Sequence, residues 1–119
     1  MITIENETHI LVLNKILRYF KFYCMDHEIS VDALLSPFLG ELCELVDKEA
    51  GKIRERNNKI IFEEDWGLIE NNKIAFDRIP FVIALIPDFK SLDNSLKKEL
   101  ITILVYPYKI EEESLKKFL

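Results

Sequence analysis

Cysteine, glycine and proline are all scarce in this chain, which has two, three and four of them in 119 residues. Cys24 and Cys43 are too few and too far apart to form the dense disulfide framework of a small secreted scaffold, so a reducing, cytoplasmic setting is expected. With so little glycine and proline there is no material for long loops or a linker, and no repeat or low-complexity stretch is visible. Residues 1–119 therefore read as one ordered domain. A long hydrophobic run is also missing. The longest, from Ile79 to Pro87, is broken by proline and is far shorter than a bilayer span requires. The opening MITIENETH carries acids where a secretory leader carries bases, so neither export nor a membrane partner is expected. Positive charge is outnumbered as well: 16 Lys and Arg face 21 Asp and Glu, for a formal net charge of −5. That balance disfavours a nucleic-acid partner, whose phosphates are bound mainly by Lys and Arg, and favours a cationic protein.

What is present is a large apolar fraction, 49% of residues, enough to bury a core without a disulfide or a metal. From Ile10 onward, Leu13, Leu17, Phe20 and Cys24 recur at three- and four-residue steps, which stack side chains on one face of a helix. Asn6 or Thr8 is the candidate cap, and the pattern decays near Asp26 and His27. Ser30 then opens a short turn over Val31 to Leu35, and Ser36 with Pro37 supplies the N-cap and first position of a long helix. Phe38, Leu42, Leu45, Val46 and Ile53 form its predicted apolar stripe, and its end is expected near Asn57. Acids come early in this helix and Lys52, Arg54 and Arg56 come late, an order that suits the helix dipole.

The middle of the chain reads less regularly. Lys59 to Phe62 and Leu68 to Phe76 contain strand-favouring residues, and Asn71 with Asn72 suits the left-handed turn of a small hairpin near residues 68–76. Phe81 to Ile86 is a buried segment, either a short helix or a strand. Beyond Pro87, Asp93 is a good cap for a helix through Leu96, Leu100, Ile103 and Leu104, which ends at Tyr106, Pro107 and Tyr108. Ile110, Leu115, Phe118 and Leu119 outline a terminal helix with Glu111 to Glu113 at its start. The predicted fold is mainly α, a compact single domain of four to five helices with a possible minor hairpin.

Chemistry-bearing residues are few. Cys24 and His27 lie three apart on one helix, where a thiol and an imidazole can meet, but Cys24 also continues the apolar stripe and is most simply a small buried hydrophobe. Adding His9 and Cys43 gives four zinc-type ligands. His9 and Cys24, however, lie about 22 Å apart along an unbroken helix at 1.5 Å per residue, too far for one ion. Glu63, Glu64, Asp65 and Glu70 lack the alternating acids and central glycine of a calcium loop, and Gly40, Gly51 and Gly67 are scattered singly rather than gathered in a phosphate loop. No cofactor, metal or catalytic set is expected, and the chain reads as a non-enzyme.

The stretch FEEDWG, Phe62 to Gly67, sets the single tryptophan among three acids, a mixture that recurs at interface hot spots facing Arg or Lys. Two readings stand for Trp66: the anchor of a negative docking face, or a core residue with idle acids around it. Glu63, Glu64, Asp65, Trp66 and Glu70 are the candidate partner-binding residues. Glu41, Glu44 and Asp47, read as lying on the exposed side of the long helix, form a second acidic group.

In size and charge the chain resembles bacterial immunity proteins and antitoxins, which bind a cognate toxin, often a basic nuclease, and block its active site or substrate groove. The resemblance implies an inhibitor that is monomeric outside its complex and whose carboxylates meet toxin Lys and Arg. The alternative is a helical regulatory or scaffold module acting by protein contact or homodimerisation.

Overall fold

The computed structural model describes residues 4–57 and 66–119. The expected strand-like stretch Lys59 to Phe62 and the acids Glu63, Glu64 and Asp65 lie outside the described residues. The architecture is mainly α, with six helices among the described residues: α1 (Glu7–Arg18), α2 (Val31–Leu34), α3 (Pro37–Arg56), α4 (Lys73–Leu85), α5 (Asn94–Val105) and α6 (Glu112–Lys116).

Each longer helix starts where local chemistry dictates. Asn6 caps α1 by accepting the His9 N–H at 3.2 Å, Ser30 caps α2 through the Ala33 N–H, and Asp93 caps α5 through the Leu96 N–H at 2.8 Å. These bonds satisfy amides that have no partner within the helix. Pro37 occupies the first turn of α3, where its missing N–H costs nothing. The expected hairpin is not there. Asn72 instead caps α4, its side-chain oxygen accepting the Ala75 N–H at 3.2 Å, and Ile69–Asn71 forms a 3-10 turn leading into that cap. The Asn pair therefore starts a helix rather than turning a ribbon, and Phe81 to Leu85 is its C-terminal part, with Pro80 inside the helix.

The first helix also departs from its simple pattern. After Arg18 it widens into one π turn, Tyr19–Tyr23, closed by the Cys24 N–H to the Tyr19 carbonyl at 2.9 Å. The widened turn puts two consecutive residues, Lys21 and Phe22, inside, while Phe20 and Cys24 are only half-buried. Helices α1 and α3 run antiparallel: the guanidinium of Arg56 meets Glu7 at one end, and Cys43 approaches the Leu17 carbonyl nearer the other. The core proper gathers Phe22 of the π turn, Leu34 of α2, Ile69 of the lead-in to α4, Ile79 and Val82 of α4, Phe89 between α4 and α5, Ile101 and Leu104 of α5, and Leu115 of α6.

Two buried cations close helix ends within this core. The Arg78 guanidinium, on α4, donates to the carbonyls of Phe20 (3.1 Å), Lys21 and Cys24 (2.7 Å), which terminate the π turn. Lys21 Nζ donates to the Ile103 carbonyl near the end of α5 at 3.1 Å. Pro107, four residues beyond Ile103, has no N–H to offer that carbonyl, so the lysine supplies the donor that proline lacks. A cation at a helix C-terminus also opposes the negative end of the helix dipole.

Candidate functional site

Helix α3 carries two apolar faces, and only one is covered. Gly40, Cys43, Val46, Ala50 and Ile53 are buried. Phe38, Leu42 and Leu45 are exposed at 77%, 43% and 61%. The expected single stripe joining Phe38, Leu42 and Leu45 to Val46 and Ile53 is therefore two stripes. The buried one is made partly of small residues, so α1 and the Tyr106 ring can approach closely. A Cβ added at Gly40 would lie 2.6 Å from Tyr106 Cδ1, so only glycine fits beneath that ring.

The exposed stripe is bordered by acids. From Pro37 to Asp47 every charged residue is acidic: Glu41, Glu44 and Asp47. Glu41 and Glu44 are solvent-exposed, and both Glu44 carboxylate oxygens lie 3.3 Å from the Tyr106 hydroxyl. Tyr106 holds its proton more tightly than a free tyrosine, first through desolvation and then through the neighbouring Glu44 charge.

The other candidates among the described residues, Asp47, Trp66 and Glu70, have structural partners. Asp47 is not on an open face: its side chain is 14% exposed. Its Oδ1 accepts from Arg18 at 2.5 and 3.1 Å and from Asn14 Nδ2 at 3.2 Å. Arg54 in turn donates to the Asn14 side-chain oxygen at 3.1 Å, so the acid belongs to a polar network clamped between α1 and α3. Trp66 packs inward. Its ring lies 5.0 Å from that of Tyr108, edge-on, and 5.8 Å from Phe22, with the Arg18 guanidinium 4.1 Å above it. Glu70 is half-buried and accepts the Glu111 N–H at 3.1 Å, at the entry to α6. Of the eight candidates, Glu41 and Glu44 are thus the two that the described structure leaves on open surface beside exposed apolar side chains. The sequence reading missed Phe38, Leu42 and Leu45 as surface residues. The available signal was the breadth of α3's apolar arc, since Leu39, Cys43, Val46, Ala50 and Ile53 already supply a complete buried face.

His9 is exposed and Cys43 is buried. His27 is exposed, its ring 5.2 Å from that of Phe81. Burial pushes the Cys43 thiol pKa up, which disfavours the thiolate a nucleophile requires. Among the described residues no group of three or more His, Cys, Asp or Glu is placed to hold a metal ion, and no helix is long and apolar enough to cross a membrane. Comparison with known proteins finds no matching family model, no similar curated protein and no similar solved structure.

Proposed function

We propose that this chain is a small acidic binding protein of the immunity or antitoxin kind, which neutralises a cationic protein by covering its active site or substrate groove. The carrying observation is the surface of α3 from Phe38 to Leu45: three exposed apolar side chains with the exposed acids Glu41 and Glu44 beside them. Apolar anchors supply contact area, and acids speed the encounter with a basic surface and reject acidic ones. The net charge of −5 acts in the same direction at longer range. Two unpaired cysteines agree with a reducing compartment, and we place the protein in the cytoplasm on that ground.

The test is capture on the immobilised protein from its native host, followed by purification of what is bound and assay of the pair. A basic protein whose activity or toxicity is suppressed at equimolar ratio is the expected result. An acidic partner, or a basic one whose activity is untouched, would overturn the proposal. Self-association is a second reading, favoured by another exposed stripe, Val12 and Ile16 on α1 with Tyr19 at the start of the π turn. A concentration-independent monomer mass in sedimentation equilibrium would remove it.

A further inference from the structure

The spacing of the open stripe on α3 says more about its occupant than its charge does. Phe38, Leu42 and Leu45 follow one another at four and then three residues, the step that keeps a seam on one side of a helix and receives the knobs of a second helix laid along it. The seam covers about two turns, on the order of 10 Å at 1.5 Å per residue. An extended peptide would have little to bond to on this face, because the α3 backbone amides are committed to its own helix and a strand partner depends on free main-chain groups. Beside the seam stand Glu41 and Glu44, and Lys48 enters only one turn after the seam has ended.

Resting on the reading of a cationic partner, we propose that the partner presents an amphipathic helix, apolar along its contact line and bearing Lys or Arg along its flank, which docks on Phe38, Leu42 and Leu45 with its bases opposite Glu41 and Glu44. The flank sets which helix is accepted, since a helix with acidic flanks would place like charges together. Tyr106, fixed over Gly40 on the covered face, donates a hydrogen bond from its hydroxyl to Glu44.

The probe is a pair of synthetic helical peptides with the same leucine seam, one flanked by lysine and one by glutamate, titrated into the full-length protein and followed by fluorescence anisotropy. The lysine-flanked peptide is expected to bind at least tenfold more tightly than the glutamate-flanked one. Phe38→Asp with Leu45→Asp should reduce that binding at least tenfold, and Glu41→Lys with Glu44→Lys should reverse the preference. Equal binding of both peptides, or binding indifferent to these variants, overturns the inference. So does a stable dimer of the free protein that the Phe38→Asp, Leu45→Asp pair dissociates, because the seat then belongs to a second copy. The same variants are then measured against the captured cationic protein. If that protein is inhibited and still bound undiminished, the helix inference fails while the inhibitory function stands.

Discussion

Lys21 offers the sharpest test of the energetics of this fold. Its side chain is fully buried, and desolvation lowers its pKa from 10.5 to about 8, with the Arg78 charge contributing in the same direction and Cys43 opposing it. Below pH 8 the folded and unfolded chains both carry the proton, and the fold bears the whole cost of a desolvated cation. Between pH 8 and 10.5 the folded chain releases its proton first, the unfolded chain binds more protons, and stability rises with pH. The difference between the two pKa values corresponds to about 3 kcal/mol, most of it gained by pH ~10. Cys43 works the other way above pH 9, since burial makes the folded chain keep a proton that the unfolded chain loses. The comparison is therefore with Lys21→Met, in which Cys43 stays buried and its contribution keeps the same sign. At neutral pH the two proteins should differ little. The variant escapes the charge-burial cost but leaves the Ile103 carbonyl without its donor, a loss of roughly 1–3 kcal/mol. Urea unfolding at pH about 7, 8.5 and 10 should show the wild type gaining about 2–3 kcal/mol on the variant across that range. Two curves that stay parallel would refute the reasoning.

Other substitutions test separate parts of the structure. At Gly51 an added Cβ meets nothing within 4 Å, so Gly51→Ala in mid-α3 should stabilise by about 0.5–1 kcal/mol in the same urea assay. Gly40→Ala must push Tyr106 aside and should destabilise by roughly 1–3 kcal/mol, with a changed near-ultraviolet tyrosine signal as the independent readout. Asp47→Ala removes the carboxylate that Arg18 and Asn14 share between α1 and α3 and should cost about 1–3 kcal/mol. Phe38→Asp and Leu45→Asp remove no buried contact and should alter stability by less than about 0.5 kcal/mol, a requirement if they are to serve as binding probes.

Helix boundaries were the most legible part of this sequence because caps are local. Asn6, Ser30, Ser36 with Pro37, and Asp93 each declare a start within four residues of themselves. Asn72 was misread for a related reason: asparagine suits both a hairpin turn and an N-cap, and what decides here is the packing of Ala75, Ile79 and Val82 into the core. The π turn was not legible, since YFKFY satisfies ordinary helical spacing and the wider turn shows only in the Cys24 amide bonding back to the Tyr19 carbonyl. Hydropathy also hides Lys21 and Arg78, because their acceptors are backbone carbonyls, which no side-chain pattern records. For the candidate site, charge and composition pointed to acids and Trp66. Which of them remain free depended on tertiary partners such as Arg18, Asn14 and the Glu111 amide, which are distant in sequence.

The two buried cations also alter what the formal charge means. Lys21 is 0% and Arg78 5% exposed. Removing their two positive charges from the net −5 leaves −7 for the rest of the chain. A molecule drifting at a distance responds to the total, whereas one in contact meets the more acidic shell, so encounter rate and contact strength sample different charges on one protein. Electrophoretic mobility should separate them. As pH passes through about 8, loss of the Lys21 charge makes the net charge one unit more negative, and the Lys21→Met protein should lack that step.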